Sequence, residues 1–412
     1  MDGHTGPMRI LLVLDTAFVN GGQAKVAIDS ALGLKARGHE PEIFAAVGPV
    51  AAELRAAGIP VHCLDQSELV KDGSMLRAAW RGIDNREAAE ALKRILADLP
   101  RGESLVHVHG WAKALSSSIA GPIARSGLPR LYTMHEYFLL CPNGGFYNYQ
   151  QHAHCPLEPL SMRCIATHCD SRSYLHKAWR VARTGVMKHV HHLPGAMRDV
   201  AYFHPFQRAI IERHLPPGTR LHEIANPVEV EDLGPKPDAA SGEIIFLGRI
   251  SMEKGVFVYA EAARRAGIVP VFVGDGPLAS ELQKRYPEAR LLGWHDAAGV
   301  RKRLREARAL VFPSLWYEGQ PLTVLEALGL GTPVIAADQC AGRESVVDGE
   351  TGLWFRQADP DDLARALTRM MDDETVRRMS EAAYRRYWAD PFSIERHCRR
   401  LEEVYSALLA RA

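Results

Sequence analysis

Two glutamates near the end of the chain carry the densest chemical information in it. Glu318 and Glu326 stand with seven residues between them in Tyr317-Glu318-Gly319-Gln320-Pro321-Leu322-Thr323-Val324-Leu325-Glu326. The apolar run Ala309-Leu310-Val311-Phe312 leads in, and Gly331-Thr332-Pro333-Val334-Ile335 leads out. The pattern predicts strand, loop, helix, strand. Pro321 suits the first turn of a helix, where a missing N–H costs nothing. Glu326 then lies one turn in, and Glu318 on the loop before it. Carboxylates on either side of a helix start can grip hydroxyls, while unpaired backbone N–H groups donate to further oxygens. Such a seat suits a sugar attached to a nucleotide.

Two cations belong to the same chemistry. Phe246-Leu247-Gly248-Arg249 ends a strand and Met252-Glu253-Lys254-Gly255 opens a helix, so Arg249 and Lys254 converge on one loop. Fixed cations beside a helix start suit a diphosphate, and they stabilise a leaving nucleotide without a metal. Near the other end of the chain, Asn20-Gly21-Gly22-Gln23 follows the first strand. Its glycines let N–H groups approach an anion, although a plain tight turn would read the same way. His135 ends a strand in Thr133-Met134-His135-Glu136-Tyr137.

The glutamate pair with its flanking strands resembles the signature of retaining glycosyltransferases of family 4, which have the GT-B fold. The resemblance spans nearly the whole chain. It is most specific from Phe246 to Asp359, fair from Arg9 to His135 and poor from Pro142 to Arg220. It implies transfer of a sugar from a nucleoside-diphosphate sugar to a hydroxyl with the anomeric configuration kept, in bacterial surface polysaccharide or glycolipid assembly. Arg249 and Lys254 would hold the diphosphate, Glu326 the ribose hydroxyls and Glu318 a sugar hydroxyl. The N–H groups of Gln320, Leu322 and Thr323 would add contacts, Gly22 would lie near the donor phosphate, and His135 would lie against the transferred sugar. Relatives often have Phe-Gly where Gln320-Pro321 stand, and a small residue then Glu where Ala24 and Lys25 follow Gln23. No cofactor and no catalytic metal are implied. The acceptor is expected to be a hydroxyl compound, for many relatives a lipid-linked saccharide.

The elements that must position these groups alternate. Strands are expected at Arg9–Asp15, Glu42–Ala46, Val61–Leu64, Leu105–His109 and Leu131–His135. Helices are expected at Gln23–Arg37, Ala51–Ala57, Glu87–Ala97 and Ala112–Arg125. After a Pro/Gly-rich linker near Asn226–Pro237 a second series runs from Ile244–Leu247 to Ala309–Phe312 and beyond. Alternation of this kind implies α/β architecture with parallel sheets covered on both faces. With the resemblance it predicts two Rossmann-like doubly wound domains facing across a cleft, 1–228 on the acceptor side and 229–390 on the donor side. The 391–412 helix would pack back on the first domain.

Composition sets the outer bounds. The 412 residues suit two or three domains, and a net charge of +1 gives no case for nucleic acid. No apolar run approaches a membrane span. The opening Met1-Asp2-Gly3-His4-Thr5-Gly6 lacks a signal core, so a cytoplasmic protein is expected. Cys141, Cys155, Cys164 and Cys169 fall in one insertion, about 141–170. Four thiolates can hold a structural zinc, but their spacing is not that of a zinc knuckle, and free buried thiols are the competing reading. Val273-Gly274-Asp275-Gly276-Pro277-Leu278-Ala279 outlines a dinucleotide loop, yet relatives carry a similar turn without binding NAD. Asp359-Pro360-Asp361 reads as a helix start with Asp359 as cap, not as a metal site. The basic, aromatic stretch from Lys177 to Arg213 is either a solvated face or a peripheral contact with anionic membrane at the inner face. The residues leave two other activities open: a sugar-nucleotide epimerase of the same fold, and a non-catalytic nucleotide-sugar binder.

Overall fold

A computed structural model describes residues 6–411. Met1–Thr5, read above for a targeting signal, lie outside the described residues. The chain divides into two compact units. The first takes the chain up to Gly145, then Leu157–Pro227 and the segment from Ser393 onward; the second takes Phe146–Pro156 and Val228–Phe392.

Strands β1 (Arg9–Thr16), β2 (Glu40–Val47), β3 (Val61–Cys63), β4 (Ser104–Val108) and β5 (Arg130–Thr133) come first in sequence. A short hairpin follows, β6 (Tyr147–Asn148) with β7 (Ala153–His154), then β8 (Asp199–Tyr202) and β9 (Arg220–Glu223). The first unit's sheet has the order β3-β2-β1-β4-β5-β8-β9, and its pairings are parallel. The hairpin β6–β7 is antiparallel and belongs to the second unit.

The second unit's main sheet is built from β10 (Ile244–Leu247), β11 (Val271–Val273), β12 (Arg290–Leu291), β13 (Ala309–Phe312), β14 (Val334–Ala337) and β15 (Gly352–Phe355). Their order is β12-β11-β10-β13-β14-β15, again parallel. Each sheet thus runs outward both ways from its first strand. The order reverses between β1 and β4 in one unit and between β10 and β13 in the other. In doubly wound sheets ligands bind beyond the carboxyl ends of the strands at this switch point. Buried continuous runs such as Ile10–Leu14 and Ala309–Phe312 are what a sheet covered on both faces demands.

The helix Ile394–Leu409 packs within the first unit against the helix Gly22–Ala36. A Cβ on Gly33 would lie 2.6 Å from the Cys398 sulfur, so only glycine permits this approach. Ser30 Oγ meets His397 Nε2 at 2.9 Å, and Arg37 donates to Glu402 at 2.6 Å. Asp359 caps the helix Pro360–Arg369 by accepting from the N–H groups of Asp361 and Asp362, as its sequence predicts.

Two expectations need correction. The helix expected over Ala112–Arg125 is a 3-10 turn, Ser117–Ile119, leading into Ala120–Ser126. Asp15 causes the difference: its buried carboxylate accepts from the N–H groups of Lys113, Ala114 and Leu115, fixing them in a loop. The stretch Lys177–Arg213 is not a solvated face at the residues expected to carry its charge. Lys177 and Arg183 are buried, as are Tyr202 and Phe203. Arg180 pairs with the buried Asp170 at 2.9 Å. Of the two readings of the cysteine insertion, free thiols fit and a zinc cage does not. Lys177 Nζ lies 3.2 Å from Cys169 Sγ and 3.6 Å from Cys164 Sγ, so an ammonium stands among the thiols. Among the described residues no group of three His, Cys, Asp or Glu side chains is arranged to hold a metal ion.

Candidate active site

The second unit's switch point is laced together by its loops. A Cβ on Gly255 would sit 1.9 Å from the Pro313 carbonyl oxygen, and its φ of 72° lies in the left-handed region, so only glycine fits there. Leu315 N–H donates to the Glu253 carbonyl at 2.8 Å. These contacts bring the loop after β10 against the loop after β13. Lys254 and Glu318, 64 residues apart, thereby meet: Nζ to Oε1 is 2.6 Å. Ser314 Oγ donates to the same oxygen at 2.7 Å. Trp316 completes the surround, with the Lys254 ammonium 5.5 Å from its ring centroid.

Glu318 adopts φ 61°. A non-glycine residue in that region stores strain on the order of 1–3 kcal/mol and is held there only by its surroundings. Gly319 follows, and then the helix Leu322–Gly329, whose start no side chain caps. Pro321 is the cap residue rather than the first helical residue. The N–H groups of Leu322 and Thr323 therefore point from an uncapped helix start. Glu326, half-buried, lies one turn in. Arg249 is exposed on the loop between β10 and Lys254.

The glycine turn after β11 has a structural use. A Cβ on Gly274 would lie 2.0 Å from the Gly248 carbonyl oxygen, and one on Gly276 would lie 2.3 Å from that of Ile250. The glycines let this turn press against the Arg249 loop and brace it, with Ile250 N–H donating to the Asp275 carbonyl at 3.0 Å. A dinucleotide loop would instead leave that backbone open to a pyrophosphate.

Sequence reasoning missed His154. It belongs to the hairpin β6–β7, and its ring stacks on Tyr317 at 3.8 Å, beside Glu318. Burial pushes its pKa down to about 4, so it is neutral at pH 7. Its Nε2 and the Trp316 Nε1 are buried without a hydrogen-bond partner. Nothing local in the sequence ties residue 154 to residue 317; only the fold does.

In the first unit, Gln23 Nε2 donates to the His109 carbonyl at 2.7 Å, which ties the glycine loop after β1 to the end of β4. Gln23 therefore braces the loop just before Ala24 and Lys25, where the sequence departs from the family pattern. Gly22 opens the following helix with open space at its Cα. His135 Nε2 meets His109 Nδ1 at 3.1 Å. His107 bridges Tyr405 Oη and Thr133 Oγ1 at 2.6 and 2.7 Å. Burial, with repulsion from His397 and Lys113, pushes His135 down to about 3; burial pushes His397 to about 4 and His107 and His109 well below 6.5.

These depressed values have a consequence for stability. The unfolded chain takes up protons near pH 6.5 that the folded histidines refuse. Their contribution is whole above that pH and is lost as the pH falls toward 4 and 3. Denaturant titrations should show stability falling from pH 6.5 to 4, by up to about 1.4 kcal/mol per pH unit for each histidine. A flat profile over that range would contradict the buried neutral histidines.

Comparison with known proteins places both halves. Residues 235–386 match the model for glycosyl transferases group 1, and residues 21–182 match that for the glycosyl transferase 4-like domain. The chain is 29% identical over 222 residues to the UDP-Gal:alpha-D-GlcNAc-diphosphoundecaprenol alpha-1,3-galactosyltransferase of Escherichia coli, covering 50% of this chain and 55% of that one. It is 31% identical over 182 residues to a phosphatidyl-myo-inositol mannosyltransferase of Mycobacterium leprae, covering 40% and 48%. The chain thus spans about half the length of these curated relatives. Among solved structures, sucrose-phosphate synthase of Thermosynechococcus elongatus superposes with a TM-score of 0.71 at 20% identity, covering 98% of this chain and 100% of that one. The two family models between them take in most of the chain, and the protein belongs to the group 1 glycosyltransferases of family 4 type with the GT-B fold.

Proposed function

We propose that the chain is a retaining, metal-independent glycosyltransferase that moves a sugar from a nucleoside-diphosphate sugar to a hydroxyl of a glycan or glycolipid acceptor. The observation that carries this is the Lys254–Glu318 pair at the switch point of the second sheet, beside an uncapped helix start. A cation, a carboxylate and the N–H groups of a helix start that no side chain caps match the parts of a sugar diphosphate: charge, hydroxyls and acceptor oxygens.

In this reading Lys254 and Arg249 hold the diphosphate, Glu326 the ribose hydroxyls and Glu318 a sugar hydroxyl. The N–H groups of Gln320, Leu322 and Thr323 add contacts, Gly22 serves the phosphate side, and His135 positions the sugar as a neutral imidazole. The bond from the anomeric carbon to the phosphate oxygen breaks, and a bond to the acceptor oxygen forms on the same face. The acceptor proton passes to the departing phosphate oxygen. Lys254 and Arg249 offset the charge that grows there, which is where binding energy raises turnover. The UDP-galactose and lipid diphosphate in the name of the Escherichia coli relative support a nucleotide-sugar donor and a lipid-linked acceptor for this chain. Among the described residues no helix is long and apolar enough to cross one.

The test is nucleotide release. With the correct donor, free nucleoside diphosphate should accumulate only when acceptor is supplied. Conversion of the donor sugar without acceptor would mean epimerisation instead, and neither reaction would mean a binder. Transfer should also survive EDTA, because two side-chain cations do the work of a divalent ion. Activity lost to EDTA and restored by manganese would overturn the diphosphate assignment.

A further inference from the structure

The helix Met75–Ile83, which the sequence reading did not single out, is turned inside out. Its small residues face the protein: a Cβ on Gly82 would lie 2.7 Å from the Trp179 ring, and Trp179 Nε1 donates to the Ala79 carbonyl at 3.0 Å. Its large apolar residues face outward, with Met75 87%, Leu76 86% and Trp80 62% exposed. Helical spacing puts these three and Ala79 on one side. A helix shaped only by water shows the reverse order.

The patch continues on its neighbours. The helix Tyr174–His189 packs against Met75–Ile83 and carries Leu175, 78% exposed, in its first turn. Tyr174 Oη donates to the Ile165 carbonyl at 2.9 Å, which ties in the helix Met162–Ala166 with its exposed Met162. Exposed apolar residues scattered singly need no explanation, but contiguous ones mark a contact surface.

Charge selects the partner. From Pro159 to Arg198 the exposed cations are Arg163, Arg172, Lys188 and Arg198, and the one acid is Asp170. That acid is buried against Arg180, while Arg163 and Arg172 are exposed. No residue from Ser74 to Ile83 is acidic; Asp72, just before, is shared by Arg77 and Arg81. Apolar side chains, a tryptophan and exposed arginines suit the boundary of an anionic bilayer.

We propose that this face docks on an anionic lipid bilayer, with Met75, Leu76 and Trp80 entering the headgroup–acyl boundary and Arg163 and Arg172 meeting lipid phosphates. The docking deepens the reading of the chain as a transferase with lipid-linked acceptors, and it sits on surfaces other than Lys177 and Arg183. Vesicle binding needs no nucleotide, so its failure and that of the transferase reading are separately visible.

The experiment is flotation of the full chain with phosphatidylcholine vesicles, with and without phosphatidylglycerol. Binding should require the anionic lipid and weaken as salt rises through the range where the Debye length falls below about 10 Å. Met75→Gln/Leu76→Gln/Trp80→Gln, all at exposed positions, should cut the bound fraction roughly tenfold or more. Its melting temperature and nucleotide binding should match the wild type. Wild-type protein that stays unbound on acidic vesicles at low salt would overturn the proposal, as would a triple variant that floats like the wild type. A wild-type dimer on gel filtration that the triple variant converts to monomer would assign the face to a second copy instead.

Discussion

Lys254→Ala is expected to lower kcat by roughly a hundredfold to a thousandfold, the scale seen when a preorganised group that stabilises developing charge is removed. The geometry gives the reason. Lys254 is the ammonium held within 2.6 Å of Glu318, against the Trp316 ring, at the sheet's switch point. Charge on the departing diphosphate grows in the transition state, so loss of the ammonium raises that barrier more than it weakens donor binding. Arg249→Ala should act in the same direction. Glu326→Ala, which removes ribose contacts alike in ground and transition states, should cost less turnover. Steady-state kinetics with the correct donor decides: a raised KM with kcat intact would remove Lys254 from the charge-stabilising role.

The second large effect is on folding. Arg183→Glu should destabilise the protein by about 3–5 kcal/mol, the cost of an unpartnered buried charge. Arg183 donates to the Ala112 carbonyl at 3.1 Å. Its guanidinium lies against Phe138 at 4.9 Å, Trp179 at 5.1 Å and Trp111 at 5.7 Å. Burial pushes its pKa down to about 10, which still leaves it charged at neutral pH. A carboxylate there would face π-electron clouds and a carbonyl oxygen. Arg172→Glu, on an exposed residue of the same stretch, should change stability by less than about 0.5 kcal/mol. Thermal or denaturant unfolding distinguishes them, and equal stability of the two variants would contradict the buried cation.

The contrast between these two arginines shows what could be read from sequence. Runs of one residue class with short spacing were legible. Ile244–Leu247 and Ala309–Phe312 stand as strands with the bounds that apolar content gives. The run Glu318 to Glu326 reads as loop and helix because Pro321 and the apolar spacing mark its start. Charge counts were not enough for Lys177 and Arg183. Composition calls such a stretch surface, and only tertiary contacts with thiols and aromatic rings explain its burial. Asp15 defeated the helix expected from Ala112 in the same way, by reaching three N–H groups about a hundred residues away. The residue types of the candidate site were legible, and its geometry was not. No local pattern states that Lys254 pairs with Glu318, or that His154 stacks on Tyr317. The helix Met75–Ile83 went unread altogether, and with it the face that it carries.

The central claim is that the second unit binds a nucleoside diphosphate between Lys254 and Glu326. Calorimetric titration of the wild type and Glu326→Ala with a panel of nucleoside diphosphates, in EDTA, tests it most directly. One of the diphosphates should bind the wild type, and Glu326→Ala should weaken it roughly tenfold to a hundredfold, the range for a lost hydrogen bond to a charged group. Unchanged affinity in Glu326→Ala, or binding that requires a divalent ion, would contradict the account.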